Sequence, residues 1–289
     1  MRLASVGGTW LVPLLAVTLA PLARADHTGD TSGTPDLVVD EKLLQNHWIV
    51  RDEDFGGADD CAAVEGGISA GTHRVLRFSV STPNIGTGDL ALGDPNVHFA
   101  NSDGLYEFAT CHQHFHFRHY AKYELIDPAT GKTWRTAKRG FCMIDVAPAP
   151  QLSDTPPKSW TYRICGRVGV PGNQGISAGW ADEYYEFLQG QMFVLDGGDG
   201  QAPVPPGPYI IRITVNPPFV SNGTPQDPCR FKDPQGFCHQ LPESRYDNNV
   251  AESLVNIPDH PGRSGVGPGA NDKAPNDSDI HDDNGDRID

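Results

Sequence analysis

Glycine and proline punctuate this chain throughout, with 32 glycines and 25 prolines in 289 residues. Between them lie short runs of apolar and β-branched residues, a pattern typical of strands bounded by turns. The clearest runs are HRVLRFSVST, GQMFVLDG, YIIRITVN and NNVAESLVNI, and DEKLLQNHWIV is a modest candidate for an amphipathic helix. The sequence therefore predicts a mainly β fold, an antiparallel β-sandwich core with long loops and few short helices.

The first 25 residues have the composition of an export signal. Arg2 supplies a basic start, and the apolar run Trp10–Ala20 is too short to span a bilayer. The sequence Ala23-Arg24-Ala25 then has the small-x-small form that signal peptidase requires. Residues 1–25 are therefore predicted to be a signal peptide, and the mature chain is expected to be secreted.

Composition divides the rest of the chain into three segments. Residues 26–35 are polar, with Gly, Ser and Thr, and predict a flexible leader. Residues 36–257 have the apolar content of one globular domain, and they contain no apolar run of the roughly 18 residues that a membrane-spanning helix needs. Residues 258–289 are acidic and rich in Pro, Gly and Asp, which predicts a disordered tail.

The chain is strongly acidic. Removing Arg2 and Arg24 with the predicted signal peptide changes the formal net charge from -15 to -17, because 20 basic side chains then face 37 acidic ones. Such a surface repels the phosphates of nucleic acids and anionic lipids, so neither is an expected partner. It attracts cations instead, which favours lysine-rich proteins or small amines as partners.

Six cysteines follow the predicted signal peptide. An even number in an oxidising compartment predicts disulfides, and six cysteines allow 15 connectivities. Cys229 and Cys238 flank the short loop CRFKDPQGFC and are expected to pair because they are close in sequence. Spacing alone leaves the pairing of the other four open.

Three alternating histidines in CHQHFHF form the strongest candidate for a metal site. Side chains two residues apart on a strand share one face, with Cα atoms about 6.5–7 Å apart, so His112, His114 and His116 lie on one side of a strand. Neighbouring imidazoles can then reach one ion, and a third ligand requires a bend or a bulge. Such a set suits copper(II) or zinc. His119 falls on the opposite face and is left out.

A zinc hydrolase is one alternative reading of this segment. Zinc hydrolases with an H-x-H-x-D-H run carry an aspartate inside the motif, and Phe117 and Arg118 depart from that form. Activation of a zinc-bound water also needs a nearby carboxylate base, and the sequence identifies none.

Four ordered segments of the chain resemble the lysyl oxidase family. They are CHQHFHF, AKYELIDPATGKTWRTAKRGFC, QGISAGWADEYYEF and PPGPYIIRITVNPPF…ESRYDNNV, the last with a cysteine-bearing insertion at 221–241. In that family the alternating histidines bind copper. The resemblance therefore implies that His112, His114 and His116 bind copper(II), and that residues 36–257 form a lysyl oxidase-like catalytic domain.

The resemblance also implies a cofactor made from the chain, lysine tyrosylquinone. Its tyrosine falls on Tyr184, ahead of the neighbouring Tyr185, and its lysine on Lys138, four residues before a cysteine. Only a phenol becomes this quinone, and an uncharged lysine amine is a competent nucleophile. The implied reaction is oxidative deamination of primary amines, including peptidyl lysine, in which dioxygen is consumed and an aldehyde, hydrogen peroxide and ammonia are released. Asp182 is a candidate base.

A disulfide pattern follows from the same resemblance. The segment DCAAVEGG is similar to a segment of the family whose cysteine pairs with the one before the histidines. Two further cysteines match family positions whose usual partners are absent here, so they are expected to pair with each other. The implied disulfides are Cys61–Cys111, Cys142–Cys165 and Cys229–Cys238.

A second alternative to the enzyme is a non-catalytic extracellular β-sandwich that binds copper. Lys138 and Tyr184 distinguish the two readings, because a protein that only binds copper has no use for that pair. Before the cofactor forms, we expect the three histidines to converge, whereas Lys138 and Tyr184 need not be adjacent.

Overall fold

The computed structural model describes residues 33–56, 60–150, 152, 154–224 and 227–263. The predicted signal peptide and most of the predicted leader and tail lie outside these residues. In the described part of the chain, no helix is both long and apolar enough to cross a membrane.

Strands dominate the secondary structure, and helices are few and short. The strands are β1 Trp48–Phe55, β2 Gly71–Phe78, β3 Val80–Pro83, β4 Leu90–Gly93, β5 Tyr106–Ala109, β6 His114–Phe117, β7 Ala121–Ile126, β8 Thr133–Arg135, β9 Ala147–Pro148, β10 Gln174–Ile176, β11 Trp180–Tyr184, β12 Met192–Val194, β13 Gly207–Val215, β14 Phe231–Lys232, β15 Cys238–His239 and β16 Val250–Ile257. The helices are α1 Glu41–Asn46, α2 Cys61–Gly66 and α3 Pro95–Asn101. The prediction of a mainly β fold is confirmed.

Antiparallel pairing joins these strands into one large sheet and several small ones. The largest sheet has the order β16-β13-β7-β8, and two three-stranded sheets have the orders β1-β2-β12 and β3-β11-β9. Three two-stranded ribbons, β4-β10, β5-β6 and β14-β15, complete the set among the described residues. The β5-β6 ribbon carries the histidine segment, and β11 carries Tyr184.

One face of the large sheet packs on the hydrophobic core, and the other faces solvent. Along β16 burial alternates, with Ala251, Val255 and Ile257 inside and Leu254 exposed, as expected for a strand with one face in solvent. Across the core, the ring of Phe78 on β2 packs against Tyr123 on β7 at 5.6 Å between centroids. Burial of large aromatic and aliphatic side chains therefore holds the sheets against each other.

Two predicted elements differ from the structure, one because it is divided and one because it is shorter. The run HRVLRFSVST is divided at Ser79, where β2 leaves β1 and β3 begins to pair with β11. The backbone amide of Ser79 donates to the carbonyl of His47, and its hydroxyl bonds to Glu186, so the break is stabilised locally. In DEKLLQNHWIV, the helix ends at Asn46, and the bulky residues from Trp48 onward form β1 instead.

The six described residues after Ile257 lead back to β1, where two of them make contacts. Gly262 exchanges backbone hydrogen bonds with Val50 on β1. The guanidinium of Arg263 lies over the ring of Trp48, 4.2 Å from its centroid. These contacts place the first residues of the predicted tail against the sheet, and residues 264–289 lie outside the described chain.

Candidate functional site

The three histidines converge because the chain bends at Gln113. Gln113 has a left-handed backbone with φ of 60°, and its amide donates to the carbonyl of Ala109 at 2.7 Å in the turn that links β5 to β6. The turn swings His112 back over His114 and His116, which follow on β6. One ligand atom of each imidazole lies within 4.8 Å of the others. Strand periodicity places His114 and His116 on one face, and the bend brings His112 to them as the third candidate ligand.

The electrostatics of the cluster suit a metal that binds neutral imidazoles. Burial, with further contributions from His112 and Lys138, lowers the pKa of His114 to about 4. Burial and the positive charge of Lys138 lower the pKa of His116 to about 2. Both rings are therefore neutral at physiological pH, and their Nε2 atoms lie 3.1 Å apart. The side chains present fit copper(II) or zinc.

Gly140 makes room for the most buried of these ligands. A Cβ atom at Gly140 would lie 1.9 Å from Nδ1 of His116, which is closer than any real non-bonded contact. His116 itself is only 2 % exposed, so its ring has little freedom to move away. The position of His116 therefore requires a glycine at 140.

The structure contains the three disulfides implied by the family resemblance: Cys61–Cys111, Cys142–Cys165 and Cys229–Cys238. The first fastens α2 to the turn that precedes His112. Asp60 caps the start of α2 by accepting from the amides of Ala62 and Ala63, and this cap fixes the helix that carries Cys61.

Removing Cys61–Cys111 is expected to weaken both the fold and the candidate metal site. The bond closes a sequence separation of 50 residues, for which the chain-entropy estimate is about 4 kcal/mol of unfolding free energy. Cys61→Ser/Cys111→Ser should therefore lower the melting temperature and also the affinity for copper(II), because His112 loses its anchor.

The matched control removes Cys229–Cys238, which closes a separation of 9 residues and is worth about 2.5 kcal/mol on the same estimate. It should leave copper affinity unchanged. Thermal unfolding and copper titration check both variants, and equal copper affinity in the two would contradict the anchoring role of Cys61–Cys111.

Lys138 and Tyr184 lie next to each other in the unmodified protein. The Nζ atom of Lys138 is 4.9 Å from the centroid of the Tyr184 ring. Tyr184 is 2 % exposed, and its hydroxyl donates to the carbonyl of Cys142 at 2.9 Å. Tyr185 is directed elsewhere, since its hydroxyl bonds to Glu183. The sequence analysis left open whether Lys138 and Tyr184 are adjacent before the cofactor forms.

A small cavity joins two of the candidate metal ligands to this pair. Its volume is about 20 Å³, enough for roughly one water molecule. The residues that line it are His112, His114, Lys138, Cys142, Cys165, Tyr184, Leu188 and Gln189. His112, His114, Lys138 and Tyr184 therefore line one common space.

The environment of Lys138 favours its uncharged amine. Burial lowers its pKa from 10.5 to about 8, and the carboxylates Glu65 and Asp182 oppose this by attracting the ammonium form. A larger fraction of Lys138 than of an ordinary surface lysine is therefore a free amine at neutral pH.

Asp182 is buried beside the tyrosine rather than open to the cavity. It is 1 % exposed, and burial raises the pKa of its carboxyl well above the usual range, while the hydroxyls of Tyr184 and Tyr120 hold part of that rise back. Its Oδ2 atom has no hydrogen-bond partner in the described structure. Asp182 thus belongs to the same polar cluster as Tyr184, although the cavity lining among the described residues does not include it.

Glu65 is a residue at the site that sequence reasoning missed. It lies on α2, and its Oε2 atom is 3.8 Å from Nε2 of His112. Burial raises the pKa of its carboxyl, and the charge of Lys138 opposes the rise. A signal was available, because Glu65 lies one helical turn after Cys61, whose implied partner, Cys111, precedes His112. The disulfide brings that turn of the helix to the histidines.

Known proteins resemble this chain over the same region. A sequence model of the family described as Lysyl oxidase matches residues 36–224, about two thirds of the chain. The chain is 25% identical over 227 residues to Lysyl oxidase homolog 2 of Gallus gallus, covering 75% of this chain and 24% of that protein. It is 25% identical over 228 residues to Lysyl oxidase homolog 4 of Bos taurus, covering 72% and 27%, and 26% identical over 196 residues to Lysyl oxidase homolog 3 of Homo sapiens, covering 64% and 23%. The chain spans about a quarter of the length of these relatives.

Proposed function

The chain belongs to the lysyl oxidase family, and from that premise we propose that it is a secreted, copper-dependent amine oxidase. It converts primary amines, either small molecules or the ε-amines of peptidyl lysine, to aldehydes. One amine, one dioxygen and one water give one aldehyde, one ammonia and one hydrogen peroxide. Secretion is supported by the predicted signal peptide at residues 1–25 and by three disulfides, which persist in oxidising compartments.

The observation that carries the proposal is the placement of Lys138 against Tyr184. Nζ of Lys138 is 4.9 Å from the centre of the tyrosine ring, and both residues line the cavity that His112 and His114 also line. A protein that only binds copper needs the histidines but not this pair. Lysine tyrosylquinone, once formed from the two side chains, would supply the electron sink for amine oxidation.

Each residue of the site has a role that its environment supports. His112, His114 and His116 would hold copper(II) through neutral imidazoles. The carbonyl of Cys142 orients the hydroxyl of Tyr184. Asp182 is the proposed base, because its carboxyl lies beside the hydroxyls of Tyr184 and Tyr120 and would accept a proton in its ionised form, which burial disfavours.

Mass spectrometry of the full chain tests the proposal. After aerobic loading with copper and proteolytic digestion, we expect one crosslinked peptide that joins Lys138 to Tyr184. The variant Lys138→Arg keeps the positive charge but has no amine that can add to a quinone, so it should give no crosslink. The matched control, Lys132→Arg, changes an exposed lysine and should crosslink normally. Two unmodified peptides from copper-loaded wild-type protein would instead indicate a copper-binding module without turnover.

The rate of crosslinking should depend on pH through Lys138. Its amine must be uncharged to act as a nucleophile, and a pKa of about 8 makes about a tenth of it uncharged at pH 7 and about nine tenths at pH 9. The rate should therefore rise with pH and level off above a midpoint at or below pH 8, since bound copper would lower the pKa further. Timed appearance of the crosslinked peptide after copper addition measures this. A rate that is still rising at pH 10 would contradict it.

A further inference from the structure

A groove open to solvent adjoins the small cavity at the candidate site. Its volume is about 390 Å³, within the range of about 300–1,000 Å³ that is typical of ligand-binding clefts. The residues that line it include Glu53, Asp54, Asp60, Arg77, Phe187 and Gln189. Gln189 also lines the cavity that contains Lys138 and Tyr184. The groove and the cavity are therefore neighbours, and Gln189 lies between them.

The cavity by itself is too small for an amine substrate. Its volume of about 20 Å³ holds roughly one water molecule, and every alkylamine is larger than that. Among the described residues that line the cavity, Gln189 is the exposed one, and Leu188 before it is partly buried. Gln189 is therefore where the cavity meets solvent, and an amine that approaches Tyr184 through this boundary comes from the groove.

The turn around Leu188 separates the groove from the cavity. On the groove side, the guanidinium of Arg77 donates to the carbonyl of Leu188 at 2.7 Å. Glu53 holds that guanidinium in place, with Oε1 3.0 Å from Nε of Arg77. On the other side, a Cβ at Gly190 would lie 3.5 Å from Cα of Lys138, so the turn rests on the segment that carries the lysine. One turn therefore forms part of the wall of both spaces.

The groove carries the groups that recognise cationic side chains. Phe187 is 52 % exposed, and the face of an aromatic ring attracts a guanidinium or an ammonium. Three carboxylates line the groove as well, those of Glu53, Asp54 and Asp60. Among the described residues that line it, Arg77 is the only cation, and it is already paired with Glu53. The charge of the groove is therefore complementary to a basic ligand.

We propose that this groove binds the residues next to the reacting lysine of a peptide substrate, with a preference for basic neighbours, and that the lysine side chain enters the cavity past Gln189. The assignment rests on the proposed function and deepens it, because it selects peptidyl lysine in basic sequences over small amines. A lysine side chain has a thin, unbranched stem. It can therefore pass a boundary that keeps the peptide backbone in the groove.

Binding of an arginine-flanked peptide tests the groove without turnover. The peptide acetyl-Gly-Arg-norleucine-Arg-Gly-amide has no primary amine, so the protein cannot oxidise it whether or not the quinone is present. Copper-loaded full-length protein is titrated with this peptide by calorimetry. We expect saturable binding to the wild type and binding at least about tenfold weaker to Asp54→Asn/Phe187→Ala, because that variant loses one carboxylate and the aromatic ring of the groove.

The matched control is Asp154→Asn/Phe237→Ala, which makes the same two substitutions at exposed positions outside the described linings of the groove and the cavity. Phe237 is 47 % exposed, close to the value for Phe187, and an asparagine at 54 still accepts from the hydroxyl of Thr72, so both double variants should fold. The control should bind the peptide as tightly as the wild type. Equal affinity in the two double variants, no saturable binding to the wild type, or equal binding of a glutamate-flanked peptide would overturn the assignment.

A second measurement uses the crosslinked enzyme and two substrates, with activities normalised to the yield of crosslinked peptide. Lysine in place of norleucine makes the peptide a substrate. Asp54→Asn/Phe187→Ala should lower kcat/KM for this peptide at least about tenfold and leave that for propylamine within about twofold, because propylamine makes no contact with the groove once it is bound. Gln189→Trp should lower both values at least about tenfold, because a large ring at the boundary hinders every amine. Gln235→Trp, at an exposed glutamine outside the described linings, should change neither.

The outcomes separate the two proposals. If the wild type gives no crosslinked peptide, the proposed function fails, while the titration with the norleucine peptide still decides the role of the groove. If the crosslink forms normally, an unchanged kcat/KM for the lysine peptide in Asp54→Asn/Phe187→Ala would show that the groove does not bind substrate. Normal oxidation of propylamine by Gln189→Trp would show that amines do not pass this residue. Either result would overturn the assignment.

Discussion

Tyr184→Phe is expected to abolish amine oxidation, with a loss of at least about 10³-fold in peroxide release, because Tyr184 supplies the phenol next to Lys138 and the neighbouring ring of Phe141, 5.7 Å from Nζ, has no hydroxyl. The ring keeps its packing, and the variant loses only the hydroxyl that donates to the carbonyl of Cys142. We expect a cost of about 1 kcal/mol of unfolding free energy, so the protein should remain folded. Peroxide release with propylamine, the crosslinked peptide and the melting temperature measure these effects.

Tyr185→Phe is the matched control for this variant. Tyr185 is the next residue, and its hydroxyl bonds to Glu183 instead of reaching the cavity. Its loss should leave the crosslink and peroxide release within about twofold of wild type. If activity survives in Tyr184→Phe but disappears in Tyr185→Phe, the assignment of the cofactor to Tyr184 is wrong.

Gly140→Ala is expected to destroy the proposed copper site without replacing any of its three histidines. The added Cβ would lie 1.9 Å from Nδ1, 2.4 Å from Cγ and 2.8 Å from Cβ of His116, so the imidazole or the strand that carries it must move. Overpacking of this kind costs about 1–3 kcal/mol of stability. Displacement of one of three ligands should weaken copper binding by about 100-fold or more, compared with the roughly 10–100-fold effect of lost supporting contacts. Copper titration and thermal unfolding measure both effects.

Gly56→Ala provides the comparison, because the nearest atom to its new Cβ is 3.9 Å away, at Asp60. It should bind copper as wild type does. If Gly140→Ala also binds copper normally, the close approach of Gly140 does not constrain His116.

Sequence periodicity accounts for much of the fold and for part of the site. Alternation of apolar residues identified β13 and β16, since the pattern of a strand with one buried face is local. It did not identify the break at Ser79, because that break depends on contacts with His47 and Glu186, which are distant in sequence. The end of α1 likewise depends on a distant residue, because Trp48, the first residue of β1, pairs with Phe78 on β2.

The candidate site divides in the same way. The period of two aligned His112, His114 and His116, but the left-handed turn at Gln113 that brings the first of them inward has no signature in the residue itself. The approach of Lys138 to Tyr184 depends on how separate sheets pack. No local pattern encodes it.

Cys61–Cys111 also has a consequence for the order in which the proposed site would be assembled. In a reducing cytosol Cys61 and Cys111 remain thiols, so no covalent bond ties the helix bearing Glu65 to the turn that presents His112. Under the proposed function, copper capture and quinone formation would then follow thiol oxidation, after export. The enzyme would thus produce no peroxide in the compartment where it is synthesised, because it becomes active only after its disulfide has formed.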